Sequence, residues 1–175
     1  MADQLLSLRY FNPIGADPKM RTGLQLRHPS HALGEVIQAM ENGSDFCVTG
    51  TAYGTRDGSG IRDYVHVWDL ASAHVAALAK FDTLPADADS LAIALGTGTG
   101  TTVKELVEAF NSVSDRPISA IEADARPGDV VGAYTRSDRA ERLLGWRAEY
   151  SIVDGIRHSP ERATVRDTVL TNSGR

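Results

Sequence analysis

The sequence predicts an α/β fold. Two apolar runs with little polar alternation, residues 5–10 and 91–95, read as strands of a parallel sheet covered on both faces. Other segments repeat apolar residues at helical spacing, as in Ala32, Leu33, Val36, Ile37 and Met40. Turn residues separate the two kinds of segment, so strands and helices alternate along the chain. The strands are too few for a complete doubly wound sheet, and the chain reads as part of one.

Each element has its own signals. After the strand at 5–10, Asn12-Pro13 and residues 15–23 predict a loop. Ser30 or His31 opens a helix that Asn42-Gly43 ends as a turn. Residues 46–49 read as a strand, 53–60 as a loop with three glycines, and 64–67 as a strand. Asp69 is a reasonable N-cap for a helix to about Phe81, with Leu70, Ala73, Ala77 and Leu78 as its apolar stripe. Residues 84–89 read as a surface connection. The strand at 91–95 leads through Gly96-Thr97-Gly98-Thr99-Gly100 into a helix capped by Thr101 or Thr102, with Leu106, Val107 and Phe110 inward. A strand is expected in 117–122, a loop in 125–133, and a helix from Ser137 or Asp138 to Leu144-Gly145. The segment from Ser151 begins as a helix that Pro160 should kink or end, and 168–175 should fray.

Composition narrows the function classes. Of 175 residues, 42% are hydrophobic and 23% charged, which is ordinary for a single globular domain. The net charge is −5 and no basic run occurs, which argues against binding to nucleic acid through phosphate neutralisation. No apolar stretch is long enough to span a membrane, and the N-terminus has no secretory pattern. A lone cysteine, Cys47, leaves no internal disulfide and reads as a small buried apolar residue. These features lead us to expect a cytoplasmic protein.

Several residues carry chemistry. Arg62 follows a glycine loop that permits close approach to a ligand, and its planar fork suits a diphosphate. Alternatively, it pairs with Asp57 or Asp63 at the surface. Arg126-Pro127-Gly128-Asp129 offers a second arginine and a carboxylate, or merely a Pro-Gly turn. Asn12 sits where ligands bind in open sheets, at the carboxyl end of a strand, although an asparagine before proline is also a common turn residue. Tyr64 either reaches a ligand or packs with its hydroxyl at the surface. His31 reads most simply as a helix cap. A metal at His28 and His31 lacks a third ligand. The run Gly96–Gly100 imitates a dinucleotide fingerprint, but Thr101 stands where the third glycine belongs, so a tight strand-to-helix turn is the better reading.

The segment from Gly58 to Ala71 fits the pattern Gly-x-Gly-x-Arg-Asp-Tyr-x-His-Val-x-Asp-Leu. With Arg9-Tyr10-Phe11-Asn12-Pro13 and Arg126-Pro127-Gly128-Asp129, it resembles the nucleotide-sugar epimerases of the extended short-chain dehydrogenase type, the UDP-glucose 4-epimerase branch most closely. The resemblance implies strands of a partial Rossmann-type sheet plus a small α/β substrate-binding domain, all of residues 1–175 belonging to the C-terminal half of such an enzyme. It implies a place in galactose and nucleotide-sugar metabolism. Arg62 and Arg126 would hold the UDP diphosphate, Asp129 the ribose hydroxyls and Asn12 a phosphate. Thr49 would lie beside the uracil, or else serve only to pack its strand; Val103 would lie near the uridine, and Tyr64 within reach of the ligand. Tyr10 and Phe11 would stand near the nicotinamide of NAD. Many members carry Pro-Asn-Asn-Leu where this chain has His28-Pro29-Ser30-His31, so His31 and Ala32 would shape a different pocket.

Such epimerases draw a hydride from C4 of the sugar onto NAD, with a tyrosine base helped by a lysine four residues later. Here the residues four after each tyrosine are Ile14, Asp57, Trp68, Asp138 and Asp154, so no such pair is present. The resemblance therefore implies a UDP-sugar-binding chain that is inactive alone and does not bind NAD by itself; the alternatives are a UDP-sugar-binding module, a subunit of a split enzyme, or a truncated remnant without function. Its uncovered strand edges should favour self-association or a complementing NAD-binding chain.

Overall fold

The computed structural model describes residues 5–26, 29–85 and 90–172, with side chains to residue 165. In chain order the elements are β1 (Leu5–Tyr10), β2 (Asn12–Ile14), α1 (Ala32–Asn42), β3 (Phe46–Thr49), β4 (Ile61–Arg62), β5 (Tyr64–His66), α2 (Val67–Lys80), β6 (Ser90–Leu95), β7 (Thr101–Thr102), α3 (Val103–Asn111), β8 (Ala120–Ala123), β9 (Gly132–Ala133), α4 (Asp138–Leu144) and α5 (Ile152–Asn172). The architecture is mixed α/β with parallel strand pairs, as the alternation predicts. No described helix is long and apolar enough to cross a membrane.

Two cores organise the chain. In one, the parallel pair β1 and β6 supports α2 and α4, and Val65, Leu70, Ile93, Leu95, Leu144 and Trp146 fill the space between. In the other, α1, α3 and α5 pack with β3 around Leu33, Val36, Val48, Leu106, Phe110 and Ile156. Short pairings fix the region between the cores. β2 runs parallel to β5 with Asn12 opposite Tyr64, β3 runs parallel to β8, and β4 lies between antiparallel β7 and parallel β9.

Helix ends follow local chemistry. The His31 imidazole caps α1, and Gly43, with φ +64°, closes it in the left-handed conformation that glycine tolerates. Thr102 and Glu105 form a reciprocal capping box at α3.

Several expectations are corrected. Asn12-Pro13 is strand rather than loop, because β5 offers a matching edge. Asp69 is not the cap of α2. His66 accepts the Trp68 N–H there, while buried Asp69 accepts from Glu149 N and Tyr150 N and so ties the chain before α5 to α2. Leu78 is 80% exposed, and Leu84, expected at the surface, is buried in the β1–β6 core. Cys47 is exposed rather than buried, because Phe46 and Val48 occupy the inward positions of β3. The strand expected in 117–122 forms at Ala120–Ala123.

Helix α5 continues through Pro160. The missing N–H and the ring cost on the order of 3 kcal/mol. Buried contacts on both sides offset that cost: Gly155 against Ile14, Ile156 in the core and, beyond the proline, the aliphatic stem of Arg162 against Gly23. The expectations for His28, for 86–89 of the surface connection and for the last three residues of the frayed end lie outside the described residues.

Candidate functional site

One cavity of about 430 Å³ gathers the side chains singled out in the sequence: Asn12, His31, Ala32, Thr49, Arg62, Tyr64, Val103, Arg126 and Asp129 all line it. They come from six separate stretches of the chain. Asn12 and Tyr64 are register partners on β2 and β5, and Asn12 N donates to Asp63 O at 3.0 Å. Thr49 ends β3. Val103 opens α3, its N–H donating to Gly60 O at 2.9 Å.

Arg62 makes no ion pair with its neighbouring aspartates. Asp63 is fully buried and accepts from Thr97 N, Thr97 Oγ1 and Thr135 N, which pins the loops at 96–97 and 134–135. Asp57 is occupied by Ser59 and Thr102. The Arg62 guanidinium instead donates through Nη1 to Ile61 O at 2.8 Å and Val131 O at 2.9 Å. Those bonds hold it against the loop that carries Arg126 and Asp129. In that loop Gly128 has φ +85°, and Asp129 N donates to Arg126 O at 3.0 Å, giving the Pro-Gly turn. The Asp129 carboxylate also accepts from Arg126 N at 3.1 Å. Thus the turn and the convergence on the cavity are both present.

His31 also serves two purposes. Its Nδ1 accepts from Gly34 N at 3.1 Å, which caps α1 and leaves the ring proton on Nε2. Burial pushes its pKa down, with Glu35 acting the other way, so the neutral ring is favoured. Tyr64 is 5% exposed rather than placed at the surface, and its hydroxyl has no hydrogen-bond partner among the described residues. Burial pushes its pKa up to about 12 against the opposing effect of Arg62, so the phenol keeps its proton.

Sequence reasoning missed part of the wall. Glu35, Gln38 and Asn42 also line the cavity. With His31 they recur at steps of four, three and four, a polar stripe on α1 opposite Leu33 and Val36, and helical spacing would have revealed it. Tyr53 lines the cavity as well, with no sequence signal beyond its neighbours, and so does Cys47, whose counterpart in the family resemblance lies close to the uridine.

Tyr10 and Phe11 lie apart, at the end of β1, with 46% and 37% exposure. The glycine run between β6 and β7 is packed at both ends, while Gly98 at its centre is open. A Cβ on Gly96 would meet Asp63 Oδ2 at 2.3 Å, and one on Gly100 would meet Tyr134 at 2.5 Å and Ile61 at 2.6 Å.

Comparison with known proteins gives this geometry a context. The chain is 42% identical over 156 residues to UDP-glucose 4-epimerase 2 of Arabidopsis thaliana, covering 88% of this chain and 44% of that one. It is 44% identical over 146 residues to the UDP-glucose 4-epimerase of Rhizobium meliloti, covering 83% and 44%. Among solved structures, a UDP-glucose-4-epimerase from Stenotrophomonas maltophila with bound NAD and formylated UDP-arabinopyranose superposes with a TM-score of 0.85 at 33% identity, over 96% of this chain and 50% of that one. The Bifidobacterium longum UDP-glucose 4-epimerase in complex with NAD+ and UDP gives 0.81 at 34%, over 93% and 48%. The chain therefore spans less than half the length of the curated relatives it matches. The model of the NAD dependent epimerase/dehydratase family matches residues 3–91, and the chain belongs to that family.

Proposed function

We propose that this chain holds the UDP-sugar of a UDP-glucose 4-epimerase, in nucleotide-sugar and galactose metabolism. The observation that carries the reading is the presence of Arg62 and Arg126 on one cavity. Two guanidinium groups from distant loops match the charge and the bidentate acceptor geometry of a pyrophosphate. Asp129 takes the ribose hydroxyls and Asn12 a phosphate oxygen. Thr49 and Val103 border the uracil and uridine, and His31 and Ala32 set the pocket shape. The unpartnered Tyr64 hydroxyl gains a polar ligand atom, which removes the cost of a buried unsatisfied group.

The hydride chemistry of the family requires NAD. In this reading NAD is held mainly by residues other than those described here, with Tyr10 and Phe11 bordering the nicotinamide. The packed ends of the glycine run, at Gly96 and Gly100, and the exposure of Tyr10 and Phe11 support that division. The chain then acts with an NAD-binding half and is inactive alone. Among the described residues β1 pairs only with β6, and exposed Leu5 and Leu78 lie on β1 and α2, which offers a face for that half or for a second copy.

Calorimetric titration with UDP and UDP-glucose tests the binding step. Saturable binding of both, much tighter than that of uridine, is expected. Equal affinity for UDP and uridine would remove the diphosphate from the reading. Addition of an NAD-binding half and assay of UDP-glucose/UDP-galactose interconversion tests the division of labour. Activity restored only in the mixture is expected, and activity of this chain alone with NAD would overturn it.

A further inference from the structure

A groove of about 730 Å³ adjoins the candidate site, with His31 and Gln38 forming walls of both. Its lining is mainly apolar, with Leu24, Ile37, Trp68 and Ala71 among the walls. Arg162 of α5 also lines it and is only 2% exposed. Its Nε has no hydrogen-bond partner among the described residues, and Nη1 reaches Met20 O at 3.4 Å, a long contact. No described acid pairs with it. A buried cation without a counter-charge costs several kcal/mol.

The neighbouring polar groups do not supply that charge. Buried Asp17 is already engaged by Arg21 and by Lys19 N. Arg21 in turn lies over the Trp68 ring, 5.4 Å from its centroid. Ser159 accepts from Gly15 N and donates to Gly155 O, and Gln38 donates to Pro29 O.

The loop over Arg162 is built for closeness. A Cβ on Gly23 would stand 2.7 Å from Arg162 Cγ. Met20, whose carbonyl accepts from Arg162, is the one described non-glycine residue with positive φ, at +57°, a conformation that costs on the order of 1 kcal/mol or more. Asp17 N to Thr22 O at 3.0 Å and Met20 N to Asp17 O at 2.7 Å fix the loop in that form.

We propose that this groove binds an amphipathic organic anion, a carboxylate with an alkyl or aryl body. The carboxylate pairs with the Arg162 guanidinium, and the body lies along Leu24, Ile37 and Trp68. The volume falls in the range of small-molecule sites, where apolar walls surround a few polar groups. Inorganic phosphate would answer the charge but leave the apolar walls wet, so the carboxylate with a chain is the better occupant.

Octanoate, octanol and inorganic phosphate separate these terms, with Trp68 fluorescence as the readout and the Trp68→Phe variant to confirm the source of the signal. Octanoate should bind saturably, octanol should bind at least about tenfold more weakly, in line with the loss of a charge-assisted pair, and phosphate should not displace octanoate. Arg162→Met should lose the preference for octanoate over octanol. Because that variant removes a buried side chain, Leu24→Asp on the exposed wall provides a second test. It should weaken octanoate about tenfold or more by like-charge repulsion while circular dichroism stays unchanged. Equal affinity for octanol and octanoate, displacement by phosphate, wild-type octanoate binding in folded Leu24→Asp, or no saturable signal would each overturn the proposal.

Discussion

Acid should loosen this protein in part through His66. The ring is 2% exposed, caps α2 by accepting the Trp68 N–H at Nδ1, and contacts His158 Nδ1 through Nε2 at 3.0 Å. Tyr150 stacks on it with centroids 4.3 Å apart. This arrangement requires the neutral ring with its proton on Nε2. A second proton at Nδ1 would face the Trp68 N–H and break the cap. Burial, and secondly the nearby His158, push the pKa down from 6.5 to about 4, with Asp154 pulling the other way. A depressed histidine contributes stability that is fully present above its unfolded pKa and lost as pH falls through the folded one. The window is therefore pH 6.5 to 4. At about 1.36 kcal/mol per pH unit, the loss by pH 4 is about 3 kcal/mol at most. Urea unfolding at pH 7.5 and pH 4, in wild type and His66→Asn, isolates this effect. Asparagine still caps a helix but does not titrate. The wild type should lose about 2–3 kcal/mol more than the variant over this interval. Parallel losses in the two proteins would show that His66 is not the group that titrates.

Three further substitutions probe the framework around the cavity. Gly132→Ala places a Cβ 1.8 Å from Ile61 O and 2.1 Å from Arg62 Nη1 at φ +113°, so it should destabilise by about 3 kcal/mol or more and weaken UDP binding; both are readable by denaturation and calorimetry. Thr102→Ala removes the α3 capping box and a bond to Asp57, and should cost about 2 kcal/mol in urea unfolding. Phe110→Ala empties part of the α1–α3–α5 core and should cost about 4 kcal/mol by the same measurement.

Much of the fold is legible because long-range packing agrees with local pattern. The strands at Leu5–Tyr10 and Phe46–Thr49 follow from apolar runs, and α1 and α3 from periodicity bounded by His31, Gly43 and Thr102. What escaped has non-local causes. Strand β2 exists because a distant segment, β5, presents a matching edge, and three residues carry no periodicity of their own. Asp69 looks like a cap, yet its carboxylate serves residues 149 and 150, which no local rule reveals. Pro160 breaks helices on propensity alone, but buried neighbours on both sides override it. Within the candidate site, the loop residues were legible through their motifs. The α1 stripe of Glu35, Gln38 and Asn42 was overlooked although its spacing was visible, whereas the burial of the Tyr64 hydroxyl depends on packing that the sequence does not display.

A double-mutant cycle on Arg62 and Arg126, read as calorimetric affinity for UDP and for uridine, bears most sharply on the pyrophosphate contact proposed for them. Arg62→Met and Arg126→Met should each weaken UDP at least about tenfold and barely change uridine, and the paired variant should show that the two effects are coupled. Wild-type UDP affinity in either variant, or equal losses for uridine, would contradict the convergence of these two side chains on one diphosphate.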